Sequence, residues 1–256
     1  MIGPALGEGL EGRGVIVTGA SGGIGREIAQ QMAVAGARVC AIDLAGQGVK
    51  HVAASLPGRR DHLGVELDLR DTAAIESVVR PAVEELSGLW ALVHAAAFLR
   101  RQAPSEVTEE SWDAQLDVNL KATFWLNRLA GEILIAGGRG GRIVNFTSAA
   151  WMAGPMIDSD VYAASKGGVV TMTKGFARRL GPHGITVNAI SPGQIATPMQ
   201  AKENTPEAMA TVAANCPLGR MGTAEEVAAV AVFLASTHAS FISGATINVS
   251  GGLLMY

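Results

Sequence analysis

T-G-A-S-G-G-I-G, residues 18 to 25, stands where one kind of periodicity gives way to another. Before it, R-G-V-I-V-T-G (13 to 19) is a short apolar, β-branched run that ends at glycine, the pattern of a buried parallel strand. After it, Ile24, Ile28, Met32 and Ala35 recur at helical spacing, and Gly36 closes that helix as a C-cap. A second strand, Ala37 to Asp43, follows, so the unit is a right-handed βαβ crossover. Within the turn Gly19 permits the tight bend, Gly23 lets the backbone approach a pyrophosphate, and Gly25 lets the helix pack closely on the sheet. With Ser21, Gly22 and Ile24, whose amides open the helix and carry its positive dipole end, these glycines form a candidate phosphate cradle.

The alternation continues outward. The pattern predicts a weak helix at about 48 to 56, a strand at about 62 to 67, and a helix capped by Asp71 and Thr72 that runs to about Leu86. A strand, L-W-A-L-V-H-A (89 to 95), precedes a long helix capped by Thr108 and continuing to Ile135. R-I-V-N-F-T-S (142 to 148) is a strand, 160 to Leu180 a helix, and I-T-V-N-A-I-S (185 to 191) a strand. A helix, A-E-E-V-A-A-V-A-V-F-L-A (224 to 235), and a strand, A-T-I-N-V-S (245 to 250), close the chain. Seven strands alternating with six helices predict an α/β fold, a Rossmann-type doubly wound parallel sheet with helices on both faces.

The chain has 256 residues, 48% hydrophobic and 17% charged, with 32 glycines and no linker-like stretch, which favours one domain over 1–256. A net charge of -3 without a basic run argues against a nucleic-acid partner or an anionic membrane surface, and no run approaches the ~18 apolar residues of a membrane span. Cys40 and Cys216 are far apart, and Cys40 lies in a buried strand, so no disulfide framework is expected. The first residues lack a cationic start and an apolar core, so a cytoplasmic protein with a small-molecule partner is expected.

Two further positions carry chemistry. Asp43, followed by Leu44, ends the second strand, where a carboxylate can accept both ribose hydroxyls of an adenosine and repel a 2′-phosphate. That selects NAD; the alternative is an aspartate that caps the next helix. Asp68, with Leu69, ends the third strand and can accept from an adenine amino group. Farther on, V-Y-A-A-S-K (161 to 166) places Tyr162 and Lys166 one helical turn apart. A neighbouring ammonium stabilises a phenolate, so Lys166 is expected to lower the pKa of Tyr162 and make it a general acid or base.

These motifs together resemble the short-chain dehydrogenase/reductase family in its single-domain form of about 250 residues. The turn T-G-A-S-G-G-I-G, Asp68 with Leu69, Asn119 in D-V-N-L, G-R-I-V-N-F-T-S, Y-A-A-S-K, N-A-I-S-P-G-Q-I-A-T-P and S-G-A-T-I-N-V-S-G-G occur in the family's order over nearly the whole chain. The resemblance implies four catalytic residues: Tyr162 as acid or base, Ser148 bonding the substrate oxygen, Lys166 holding the nicotinamide ribose, and Asn119 holding a relay water. It also implies that Pro192, Gly193, Ile195 and Thr197 fix the nicotinamide carboxamide, and that Ala95 contacts the cofactor through its backbone. No metal is implied.

The sequence also departs from the family. H-A-A-A (94 to 97) stands where N-N-A-G is usual, Trp151 replaces a glycine, and V-S-G-G replaces V-D-G-G. His94 is expected to be structural rather than catalytic. Expected pocket residues are Ala150, Trp151, Met152, Met156, Ile157, Gln194 and the segment 199 to 213 with Met199 and Met209, while Asp158, Asp160 and Gln194 could instead meet polyol hydroxyls. Three functions stand open: an NAD(H)-dependent secondary-alcohol dehydrogenase, an NADPH-dependent ketone reductase of 3-oxoacyl-acyl-carrier-protein type, and a regulatory cofactor binder. The intact Ser148, Tyr162 and Lys166 favour an enzyme. Small residues on the Tyr162 helix (Ala163, Ala164, Gly167, Gly168) and the apolar tail Leu253, Leu254, Met255, Tyr256 predict contacts between copies, and the family resemblance implies a homotetramer of D2 symmetry.

Overall fold

Successive side chains of the first strand, β1 (Gly14–Thr18), all of it buried, point to opposite faces of the sheet. Val15 and Val17 enter one core cluster, and Ile16 enters another on the opposite face of the sheet. Both faces are therefore covered, which is why the strands read as unbroken apolar runs. These facts come from a computed structural model, which describes residues 6–58, 61–155, 158–198, 200 and 205–255. Met156, Ile157, Met199 and Tyr256, named above, lie outside the described residues.

The other strands are β2 (Arg38–Asp43), β3 (Leu63–Glu66), β4 (Ala91–His94), β5 (Gly141–Phe146), β6 (Ile185–Pro192) and β7 (Thr246–Val249). They form one seven-stranded sheet in the order β3-β2-β1-β4-β5-β6-β7, parallel at every pairing. The strand order reverses between β1 and β4, and a crevice opens there at the carboxyl ends of the strands. On one face lie α1 (Gly23–Val34) and α9 (Ala224–Ala235), whose Ile28, Met32, Val227 and Ala231 share a core with Val15 and Val17. On the other lie α3 (Thr72–Glu85), α5 (Ala122–Gly137) and α7 (Asp160–Leu180), packed through Val79, Leu126 and Phe176 against Ile16 and Ile42.

Local signals set these boundaries. The Asp71 carboxylate accepts from the amides of Ala73 and Ala74 at 3.1 Å each and starts α3. The Thr108 hydroxyl accepts from the Ser111 amide and starts α4 (Glu109–Leu116). Gly36, at φ +86, takes the left-handed conformation just past α1.

The structure departs from expectation in four places. The long helix from Thr108 to Ile135 is split into α4 and α5 by a π turn, Asp117–Lys121. Two helices lie where a loop and a flexible segment were expected: the short α6 (Ala150–Ala153), and α8 (Pro206–Asn215), capped by Thr205 and begun by Pro206. The remaining helix, α2 (Val49–Ser55), is only about two turns long, as its flanking glycines suggested. The tail is the fourth: Leu253 and Leu254 are half-buried and turn inward instead of forming an exposed contact patch, while Met255 is exposed. Among the described residues no helix is long and apolar enough to cross a membrane, and Cys40 and Cys216 are free and buried.

Candidate active site

Every residue expected to touch the cofactor lines a single cleft of about 980 Å3 at the carboxyl end of the sheet. The crossing of β1 and α1 sets one wall. A Cβ on Gly19 would come within 2.8 Å of the Ala96 backbone, and a Cβ on Gly25 would overlap the carbonyl oxygen of Gly19. Glycine at both positions lets the turn close under the loop that follows β4. Gly22 caps α1 without a side-chain bond, so the first amides of the helix have no side-chain partner there. The buried Ser21 hydroxyl oxygen lacks a partner as well. Orphaned donors at a helix start, with open space at Gly22, fit a pyrophosphate.

At the adenosine end the Asp43 carboxylate accepts from the Ser21 amide at 2.8 Å and from its neighbour Leu44 at 2.8 Å. It therefore braces the phosphate turn as well as ending β2, and it does not cap α2, whose N-cap is Gly48. Asp68 lines the cleft, as expected, and already has a partner. Its carboxylate is held by the Arg70 guanidinium through three contacts of 2.6 to 3.1 Å, which also hold its pKa below the usual range. An arginine two residues beyond the aspartate was the available signal for that pair. Leu69, beside it, is buried in the wall.

Ser148, two residues past β5, Tyr162 and Lys166 meet at the other end of the cleft. The Ser148 hydroxyl is hydrogen-bonded to the Tyr162 phenol. Lys166 is 2% exposed, donates from Nζ to the Phe146 carbonyl at 2.9 Å, and lies 5.6 Å from the centre of the Tyr162 ring. The Thr147 hydroxyl donates to the Lys166 carbonyl at 2.8 Å, which ties the end of β5 to α7.

The electrostatics correct one expectation. Burial raises the Tyr162 phenol to about 12, the Ser148 bond is the one contact that works downward, and Lys166 does not lower it. Burial lowers Lys166 itself to about 7, so its ammonium is weakly held and already has a carbonyl partner. Helical spacing placed the pair correctly, but burial, not their mutual attraction, dominates the pKa of each.

Asn119 does not line the cleft. It is fully buried in the π turn, where its side-chain oxygen accepts from the Phe98 amide and its nitrogen donates to the Phe98 carbonyl, both at 2.8 Å. Asn119 was expected to hold a relay water; its side chain is engaged in fixing the loop after β4, and its carbonyl accepts from the Thr123 hydroxyl at 2.7 Å. His94 is likewise structural in its contacts. Its Nδ1 lies 2.7 Å from the Thr18 hydroxyl, which also accepts from the Ala96 amide. Of the expected substrate residues, Ala150 and Gln194 line the cleft, whereas Trp151, Met152, Met209, Asp158 and Asp160 do not. Gln200 and Val212, from the expected segment 199 to 213, line it too, and Leu253 and Leu254, which also do, were not anticipated there.

A Rossmann-type sheet with this cleft defines a dinucleotide-binding protein. A family profile described as enoyl-(acyl carrier protein) reductase matches residues 19–254. Over 254 residues the chain is 38% identical to a (3R)-3-hydroxyacyl-CoA dehydrogenase of Mus musculus, covering 94% of this chain and 95% of the relative. It is 38% identical to a 3-oxoacyl-acyl-carrier-protein reductase of Thermotoga maritima (96% and 99% covered) and 37% identical to a D-threitol dehydrogenase of Mycolicibacterium smegmatis (95% and 93% covered). A short-chain type dehydrogenase/reductase from Mycobacterium marinum superposes with a TM-score of 0.91 at 29% identity over 98% of each chain. The chain belongs to the short-chain dehydrogenase/reductase family. It is an oxidoreductase that acts between alcohols and ketones with a nicotinamide cofactor.

Proposed function

We propose that the protein is an NAD(H)-dependent dehydrogenase that interconverts a secondary alcohol and a ketone, with Tyr162 as general acid and base. The hydrogen-bonded Ser148 and Tyr162 hydroxyls, facing the cleft above a buried lysine, carry this reading. A bound nicotinamide supplies the hydride for ketone reduction and accepts it in alcohol oxidation. In reduction Tyr162 gives its proton to the carbonyl oxygen, and a phenol held at about 12 keeps that proton available at neutral pH. In oxidation the same oxygen must take a proton, and the Ser148 bond stabilises the phenolate that does so. Ser148 also orients the substrate oxygen. In this reading Lys166 holds the nicotinamide ribose, and Pro192, Gly193, Ile195 and Thr197 the carboxamide. Asn119, through Phe98, holds the loop from which Ala95 meets the cofactor.

The choice of NAD rests on Asp43, whose charge opposes a 2′-phosphate. Arg70, a cation in the cleft lining, is already paired with Asp68. The second reading, an NADPH-dependent 3-oxoacyl reductase, draws support from the apolar Leu253, Leu254 and Val212 and is opposed by Asp43. The proposal includes a cytoplasmic homotetramer, supported by two buried free cysteines and by apolar side chains left exposed on α5 and before β7.

Tyr162→Phe tests the mechanism. It should lower turnover by about 10²- to 10⁴-fold while the affinity for NADH, read by fluorescence titration, stays within about twofold. Activity near that of the wild type would overturn the assignment of Tyr162.

A further inference from the structure

We infer that the C-terminal turn, Ser250–Leu254, is the specificity wall of the cleft, favouring substrates with an apolar group on the reacting carbon and setting the size of that group. The inference rests on the hydride-transfer reading of the same cleft.

The turn is built by hydrogen bonds made to and from one serine. The Ser250 hydroxyl donates to the Leu254 carbonyl at 3.2 Å and accepts from the Leu254 amide at 3.3 Å, and the Ser250 carbonyl accepts from the Leu253 amide at 3.1 Å. The Asn248 amide nitrogen donates to the same Leu254 carbonyl. Ser250 is the position at which the V-S-G-G motif departs from V-D-G-G. A neutral hydroxyl both gives and takes a bond here, whereas a carboxylate could only accept.

The turn is also bolted down from below. The Gly251 carbonyl accepts from the Leu218 amide at 3.3 Å and from the Cys216 thiol at 3.2 Å. Gly251 has φ +63, and a Cβ there would come within 2.7 Å of Cys216 Sγ, so a glycine is needed for the approach. Cys216 ends α8, and α8 contributes Val212 to the cleft, so tail and helix present Leu253, Leu254 and Val212 as one surface. On its other side Ser250 packs against Gly193, where an added Cβ would lie 2.7 Å from Ser250 Cα. The Pro192 carbonyl in turn accepts from the Ala149 amide at 3.0 Å, next to Ser148. The wall therefore stands at the reacting end of the cleft.

Three aliphatic side chains give a hydroxyl no partner; of the groups that could have met a polyol, Asp158 and Asp160 lie outside the lining, and Gln194, which is in it, already accepts from the Gln200 side-chain amide at 3.3 Å. An alkyl group, in contrast, gains roughly fourfold in kcat/KM for each methylene that such a surface removes from water.

The test is a series of methyl ketones from butan-2-one to decan-2-one, alongside oxidation of xylitol and galactitol, with both NAD(H) and NADP(H) offered. In the wild type kcat/KM should rise with chain length to a limit and exceed that for the polyols by at least about tenfold. Leu254→Ala should move the limit to longer ketones and Leu254→Phe to shorter ones, mainly through KM. Ser250→Ala, which frees the turn without touching Ser148, Tyr162 or Lys166, should weaken the length preference in the same direction as Leu254→Ala. An unchanged limit in both Leu254 variants, or a preference for polyols, overturns the inference and leaves the hydride-transfer reading standing. Failure to oxidise or reduce any member of the series with either cofactor sinks that reading and the inference with it.

Discussion

His94 is 2% exposed and close enough to Lys166 that burial, and then the ammonium, hold its pKa down at about 3. The folded value lies below the unfolded value of about 6.5, so between these pH values the unfolded chain binds a proton that the native protein refuses. Stability from this residue is complete above about pH 6.5 and is lost as pH falls through that window. His94→Asn should therefore remove a slope of roughly 1 kcal/mol per pH unit between pH 6 and 5, read as the difference between urea-unfolding curves of the two proteins. Parallel pH dependences would show that His94 is protonated in the native state. Asp43 offers the second test at this scale. Asp43→Asn retains an oxygen for the Ser21 amide but loses the charge, so the ratio of kcat/KM for NADH to that for NADPH should fall by at least about tenfold. An unaltered ratio would place cofactor selection elsewhere.

At the scale of elements, the contact between α1 and the turn that precedes it is the tightest constraint on the phosphate cradle. A methyl group on Gly25 would overlap the Gly19 carbonyl, which is backbone and cannot rotate away. Gly25→Ala should cost about 1–3 kcal/mol in unfolding free energy and weaken dinucleotide binding more than tenfold, since α1 must slide off the cleft to relieve the clash. Denaturant melts and calorimetric titration with NAD would check both; a variant that binds NAD as the wild type does would show that the cradle does not depend on this contact. Gly168 illustrates the opposite case. A Cβ there would meet the Leu120 side chain of the π turn at 2.7 Å, so this small residue on α7 admits part of its own chain and not another copy. Gly167 and Gly175, which have nothing within 4 Å of an added Cβ, keep the open face of that helix.

For the whole molecule, the exposed apolar groups argue for assembly. Phe241 is fully exposed just before β7, and β7 is an edge strand bonded only to β6. Phe124 on α5 is 39% exposed beside the open face of α7, in ring contact with Phe176. Sedimentation at micromolar concentration should give four times the 26.4 kDa chain mass, and Phe241→Glu should reduce it to a dimer by breaking the contact at β7. A wild type that sediments as a monomer would refute the tetramer. Removal of residues 253–256, by contrast, should now raise KM before it disturbs the assembly, because the leucines line the cleft.

Contiguous residues were enough to determine the strands, most helices and the cofactor cradle. A buried parallel strand is a run of apolar residues, a glycine turn is a requirement on φ and on close approach, and a cap lies within three residues of the helix it starts. Even α8 was legible from Thr205 and Pro206, the same kind of signal that marked α3 and α4. What the tertiary structure alone decided are contacts between segments distant in the chain. The π turn depends on Asn119 reaching Phe98, 21 residues away, and the inward path of the tail depends on Gly251 meeting Cys216, 35 residues away. The state of the Tyr162 and Lys166 pair belongs with these. Their spacing is written in five residues, but the water removed from around them is set by β5, α7 and the loops packed over both, and that desolvation holds the phenol high and the ammonium low.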